Sequence, residues 1–120
     1  MNLHNTLNYI EIPVSDLPLT KQFFQQVFTW EFVDYGSEYS CFVNAGINGG
    51  FYLSKQHFTL ANGSPLLVLY SQKLASTQQA ITAAGGTISQ PIFSFPGGCR
   101  FHFLDPNGNE FAVWSESLSS

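Results

Sequence analysis

The sequence predicts an α+β fold made of two copies of a β-α-β-β-β unit. Three observations carry this reading. Apolar residues alternate with period two in several short runs, two stretches carry apolar residues at helical spacing, and the same order of elements recurs within 120 residues. Each half then has one apolar helix to bury and one sheet to bury it on. A chain of this length suits one core, so residues 1–120 are read as a single domain, with module one at about 8–54, a connecting loop at 55–65 and module two at about 66–115.

Asn8 to Val14 alternates, with Ile10, Ile12 and Val14 on one side and Tyr9 and Glu11 on the other, and predicts the first strand. Ser15 and Asp16 supply capping oxygens, and Pro18 falls in a first helical turn, where its missing N–H costs nothing. Leu17, Thr20, Phe23, Phe24, Val27 and Phe28 then follow at helical spacing, so a helix is expected from Asp16 to about Phe28. Three strand-like runs come next: Glu31 to Tyr35, Tyr39 to Val43, and Gly50 to Ser54. The Asn48-Gly49-Gly50 segment reads as a hairpin turn ahead of the last of them. Lys55 to Pro65 is polar and reads as a loop.

The order then repeats. Leu66 to Tyr70 predicts a strand and Leu74 to Ala84 a helix, which Gly85-Gly86 ends in the manner of a left-handed cap. Thr87 to Ser89, Arg100 to Leu104 and Glu110 to Trp114 predict three more strands, the last two joined by an Asp105-Pro106-Asn107-Gly108 turn. Strand parity places Ile10/Ile12/Val14, Phe51/Leu53, Phe101/Phe103 and Phe111/Val113 toward the helices. The opposite faces carry Tyr9/Glu11, Gly50/Tyr52/Ser54, Arg100/His102/Leu104 and Glu110/Ala112/Trp114. Rings with a few charges on such a face suit a small-molecule trough.

Composition excludes several classes. Hydrophobic residues at 44% and twelve Phe provide ample apolar surface for a core, against disorder. Charged residues make up 10%, the net charge is −4, and Lys21, Lys55, Lys73 and Arg100 are scattered. No nucleic-acid partner is expected, because neutralising phosphates needs clustered cations. No apolar run approaches the roughly 18 residues of a membrane span, and Met1 to Leu7 lacks the marks of a signal peptide, so no membrane partner and a cytoplasmic location are expected. Cys41 and Cys99 have no CxxC spacing and read as free thiols.

The stretches EIPVSDLPLTKQFFQQVFTWEF, AITAAGG and FHFLDPNGNEFAVW resemble the vicinal oxygen chelate superfamily, which includes glyoxalases, bleomycin-resistance proteins, fosfomycin-modifying enzymes and extradiol dioxygenases. The resemblance spans essentially the whole chain. It implies two βαβββ modules forming a curved, incomplete barrel around a site, and commonly a homodimer. Metal-dependent members hold the ion with His, Gln or Glu at four inward positions. Here these fall on Tyr9, Tyr52, Leu66 and Ala112. Leu and Ala offer no donor and neutral tyrosines are poor ligands for divalent ions, so no metal and no other cofactor is expected.

Glu11 sits mid-strand on the trough face, where partial burial would suit it to proton transfer; alternatively it pairs with Arg100 or a backbone donor and only shapes the trough. His102 is a candidate general base or a satisfied structural residue. Arg100 suits a carboxylate or phosphate group, or lies solvated after the Pro96-Gly97-Gly98 loop. Tyr70 and Trp114 suit stacking on a planar ligand, or packing at a dimer contact. The candidate ligand-binding set is therefore Tyr9, Glu11, Tyr52, Tyr70, Arg100, His102 and Trp114, with Glu11 and His102 the catalytic candidates. The favoured reading is a metal-free module that binds a small hydrophobic or aromatic ligand. The alternative is a lyase- or isomerase-type enzyme using Glu11 and His102 for acid-base work or for an atypical metal site.

Overall fold

The structure, a computed structural model, describes residues 2–117. Met1, where the segment read for a leader begins, and the last three positions of the 1–120 span lie outside it. The chain divides after Gln56 into two compact units.

The first unit orders its elements as β1 (Tyr9–Val14), α1 (Leu17–Phe28), β2 (Glu31–Asp34), β3 (Tyr39–Val43) and β4 (Asn48–Leu53). They form one sheet in the order β1-β4-β3-β2, with β1 parallel to β4 and the rest antiparallel. Asp16 caps α1 by accepting from the Leu19 N–H at 3.0 Å, and Thr29 closes it in a left-handed conformation. The buried stripe of Leu17, Thr20, Phe23 and Phe24 faces an aromatic core. Ring centroids there lie 4.8 Å apart for Phe24–Trp30, 4.9 Å for Trp30–Phe42, and 5.1 Å for Phe42–Phe51.

The second unit begins with a single 3₁₀ turn (Leu60–Asn62), followed by β5 (Leu67–Tyr70), α2 (Leu74–Ala83), β6 (Thr87–Phe95), β7 (Gly98–Leu104) and β8 (Glu110–Ser115). Its sheet has the order β5-β8-β7-β6, with β5 parallel to β8. Phe101, Phe103, Phe111, Leu74 and Ile81 are essentially buried. Asp105 holds the β7–β8 turn by accepting from the N–H groups of Asn107 and Asn109, both at 2.9 Å. Each unit is thus one βαβββ module, as the sequence predicts.

Several expectations change. Asn48-Gly49-Gly50 is strand and not turn; the reversal lies at Asn44 to Gly46, both with positive φ. Gly49 is required for packing, since a β-carbon there would stand 2.3 Å from the Ile10 carbonyl oxygen and 2.5 Å from the Phe42 ring. Strand β6 is much longer than Thr87 to Ser89, reaching Phe95. Pro91 is accommodated because β6 is an edge strand and its register shifts between Gln90 and Phe93. β7 accordingly starts at Gly98, which puts Arg100 inside a strand and half-buried rather than solvated after a loop.

The 55–65 connection is not featureless: Phe58 N–H donates to Asn109 Oδ1 at 2.9 Å, Leu60 N–H to Glu110 Oε1 at 3.0 Å, and Glu110 N–H to the Phe58 carbonyl. Leu53, expected in the core, is exposed, because it ends its strand. Leu66 precedes β5 instead of opening it.

Candidate functional site

Each sheet has a face turned away from its helix, and each such face carries a distinct cluster. In the first unit, β1 supplies Tyr9 and Glu11, β3 supplies Tyr39 and Cys41, and β4 supplies Gly50 and Tyr52. The registers Glu11↔Gly50, Cys41↔Gly50 and Tyr39↔Tyr52 put all six on one face. Gly50 leaves the space above it to Tyr39: a β-carbon at Gly50 would meet the Tyr39 hydroxyl at 2.5 Å.

The hydroxyls form a directed chain. Tyr39 donates to Glu11 Oε2 at 2.9 Å. With its one proton so used, its oxygen accepts from Tyr9 at 2.6 Å. Tyr9 in turn accepts from the Cys41 thiol at 3.4 Å. Burial, with the hydrogen bonds to Tyr9 and Glu11, pushes the Tyr39 phenol well above its ordinary range; the contact with Cys41 raises Tyr9. Both phenols are therefore hydrogen-bond donors at neutral pH. Glu11 is exposed rather than partly buried, and its partner is Tyr39 rather than Arg100 or a backbone donor.

In the second unit the corresponding face is built from β5, β8, β7 and β6. Tyr70 and Trp114 are paired in register and meet edge to face at 5.1 Å. Phe95 lies 6.3 Å from Trp114. The Arg100 guanidinium carbon lies 5.2 Å from the Phe93 ring centroid and 5.5 Å from that of Phe95. His102 is next along β7, with its ring 5.9 Å from Phe93 and its Nδ1 3.2 Å from Glu110 Oε2. Tyr70 donates its hydroxyl to Glu116, which raises the phenol above its ordinary value. This face is partly closed: His102 is 1% exposed and Ala112 0%. Period-two parity therefore marks the side but not the exposure. Phe101, His102 and Phe103 are buried in succession, as in strands covered on both sides.

The candidate set thus separates into Tyr9, Glu11 and Tyr52 on one sheet and Tyr70, Arg100, His102 and Trp114 on the other. Sequence reasoning missed Tyr39, Cys41, Phe93 and Phe95, and placed Glu110 on the open face without making it a candidate. Alternation in Tyr39-Ser40-Cys41 and in Phe93-Ser94-Phe95 was the available signal, obscured in the second case by Pro91 and Pro96. A separate hollow of about 410 Å³ lies beside α1 and β2, but the Lys21–Asp34 ion pair at 2.9 Å occupies its polar lining.

The metal positions can be checked by register. Glu11 and Val68 stand six residues before the first residues of their helices, Leu17 and Leu74, and pair with Gly50 and Ala112. The β4 position corresponding to Ala112 is therefore Gly50, two residues from Tyr52, which instead corresponds to Trp114. Phe51 and Phe111 look equivalent in sequence, yet their partners Ile12 and Leu67 stand five and seven residues before their helices. The four positions then read Tyr9, Gly50, Leu66 and Ala112: one phenol held protonated and three residues with no side-chain donor. Among the described residues no three His, Cys, Asp or Glu are grouped to hold a metal ion. This donor set does not fit a divalent metal.

A family model described as the Glyoxalase/Bleomycin resistance protein/Dioxygenase superfamily matches residues 6–113. Among solved structures, a glyoxalase-related enzyme from Fulvimarina pelagi is similar at 19% identity and a TM-score of 0.77, covering 92% of this chain and 88% of that one. The genomically encoded fosfomycin resistance protein FosX from Listeria monocytogenes is 22% identical with a TM-score of 0.77, covering 94% of each chain. A variant of that protein is described in complex with Mn(II) and 1S,2S-dihydroxypropylphosphonic acid. A glyoxalase/bleomycin resistance protein/dioxygenase family enzyme from Burkholderia phytofirmans PsJN is 20% identical with a TM-score of 0.74, covering 90% of this chain and 96% of that one. At these identities the likeness concerns the fold. Comparison with curated proteins gives no match.

Proposed function

Since this chain belongs to the glyoxalase/bleomycin resistance protein/dioxygenase superfamily, we propose that it is a metal-free small-molecule-binding member of the bleomycin-resistance type. It takes a small hydrophobic or aromatic ligand on the ring-bearing faces of its sheets, and works as a single-domain, cytoplasmic homodimer. The observation that carries this reading is the donor-free pair Gly50 and Ala112, matched by register, with the Tyr39 ring filling the space above Gly50. Rings at Tyr9, Tyr39 and Tyr52 on one sheet, and at Tyr70, Phe93, Phe95 and Trp114 on the other, each offer apolar and stacking surface of the kind such a ligand needs.

Two measurements test it together. Metal analysis of protein purified without chelator is expected to find no stoichiometric Zn, Mn, Fe or Ni. A thermal-shift screen with planar aromatic compounds is expected to give hits that Trp114→Ala or Tyr39→Ala weakens. Stoichiometric metal lost on Glu11→Ala or His102→Ala would replace this reading with the enzymatic one, and a screen without hits would remove its basis.

One observation favours that second reading. His102 is buried with its Nδ1 against Glu110, the arrangement that orients a catalytic imidazole. On it, a lyase- or isomerase-type reaction would use His102 for acid-base work, oriented by Glu110, while Glu11, on the other unit's sheet and bonded to Tyr39, is a separate acid-base candidate.

A further inference from the structure

We infer that Arg100 and His102, side by side on β7, form a recognition subsite for an organic carboxylate that also bears a hydrogen-bond donor. The inference rests on the small-molecule reading above and names the class of ligand.

Arg100 is the only arginine in the chain. Its guanidinium stands over Phe93 at 5.2 Å and Phe95 at 5.5 Å, so two rings restrict the plane in which its donors lie. Among the described residues no carboxylate pairs with it, and its buried Nε has no hydrogen-bond partner. His102 follows two residues on, which puts the two side chains on the same face with α-carbons about 6–7 Å apart.

His102 is 1% exposed, and its Nε2 is likewise buried without a partner. Glu110, which when ionised can only accept, lies 3.2 Å from Nδ1 and so favours the tautomer with its proton on that nitrogen. In the neutral ring Nε2 is then an acceptor. Phe93 touches both residues, its ring centroid 5.9 Å from the imidazole.

Two buried, unsatisfied polar atoms on one strand face are unusual, because buried polar groups are nearly always paired. Their polarity is opposite: Arg100 offers donors and positive charge, while His102 offers an acceptor. A ligand that satisfies both brings an anion to the guanidinium and an O–H or N–H to Nε2. The planar fork favours a carboxylate over a point charge, and the rings of Phe93, Phe95 and Trp114 favour a flat body. Aromatic hydroxy-carboxylates have this pattern. Glu110 is a positioning residue here, since it acts through the imidazole.

The test is titration calorimetry of the full chain with 4-hydroxybenzoate, salicylate and mandelate, each beside its neutral amide. Imidazole ¹⁵N shifts of the protein are followed in parallel. At least one acid is expected to bind about tenfold or more tightly than its amide. Arg100→Met should erase that preference and Arg100→Lys should restore part of it. The His102 Nε2 resonance should move on binding. Circular dichroism melts confirm that each variant is folded, and a His102→Gln variant supplies the second probe should Arg100→Met not fold. Amides that bind as well as the acids, or an unchanged preference in Arg100→Met, would overturn the carboxylate assignment while leaving small-molecule binding intact. If neither acids nor amides bind, this inference and the reading beneath it both fall.

Discussion

The ring of Tyr39 lies over the bare α-carbon of Gly50, so close that a β-carbon there would stand 2.5 Å from the phenol oxygen and 2.6 Å from two ring carbons. The glycine and the tyrosine are therefore one feature: the first makes the room in which the second reaches Glu11 and Tyr9. Gly50→Ala is expected to lower stability by about 1–3 kcal/mol through overpacking. In urea denaturation the Gly50→Ala/Tyr39→Ala double variant should fall short of the sum of the single losses, because the clash goes with the ring. Strict additivity would show that the two do not compete for the same space.

The α1 cap gives a second prediction. Asp16 accepts from the Leu19 N–H at 3.0 Å in the helix's first turn. Asp16→Ala should cost about 0.5–2 kcal/mol, and Asp16→Asn or Asp16→Ser much less. Chemical denaturation at neutral pH reads the difference directly.

Asp105 sets a pH dependence. Burial raises its carboxyl above the ordinary carboxylate value of 3.8, against the hydrogen bonds from Asn107, Asn109 and Gly108 that favour the charged form. A raised folded-state value means that the unfolded chain gives up this proton first as pH rises. Its contribution is then fully present below pH 3.8 and is lost as pH climbs through the folded value. Asp105→Asn, which does not titrate there, should therefore cost most at acid pH and least near neutrality. Denaturation midpoints of the two proteins from pH 3 upward to 7 would show it; a gap that widens toward neutrality would contradict the assignment.

Glu110 joins the buried imidazole to the segment before β5, accepting from the Leu60 N–H on one oxygen and facing His102 Nδ1 with the other. Gln has a single acceptor oxygen and cannot serve both. Glu110→Gln is expected to cost about 1–3 kcal/mol. It should also speed amide exchange at Leu60, or shift the imidazole ¹⁵N signals of His102, according to which partner is left unpaired. A variant with native exchange and native shifts would show that neither contact matters.

The rings of the first core give the largest expected loss. Phe51 is fully buried and lies 5.4 Å from Phe24 and 5.1 Å from Phe42. Phe51→Ala should cost about 3–5 kcal/mol, and Phe51→Leu markedly less. Thermal melts of both would separate cavity formation from loss of aromatic contact.

The elements were legible because each rests on local rules. Alternation in Tyr9–Val14, the Asp16 cap with Pro18 behind it, the glycine stop after α2 and the Asp105–Gly108 turn are all properties of neighbours in the chain. Local rules make strand β6 short, because Pro91 is a breaker. It is tolerated only where the strand lies at an edge, and edge position belongs to the sheet. By the same local rules Asn48-Gly49 signals a turn, whereas in the sheet Gly49 answers the close approach of Ile10 and Phe42.

The sequence by itself determined the two βαβββ modules, the helix-facing residues of most strands, and the lack of donors at Leu66 and Ala112, since period and residue type suffice for those. Only the tertiary structure decided that Gly50, and not Tyr52, matches Ala112, that Tyr39 links Tyr9 to Glu11, and that Arg100 sits between Phe93 and Phe95 beside a buried His102. The reason is physical. Register and side-chain partners depend on which backbones lie about 5 Å apart across a sheet, and residues from Tyr9 to Gly50 or from Phe93 to Trp114 become neighbours only when it forms.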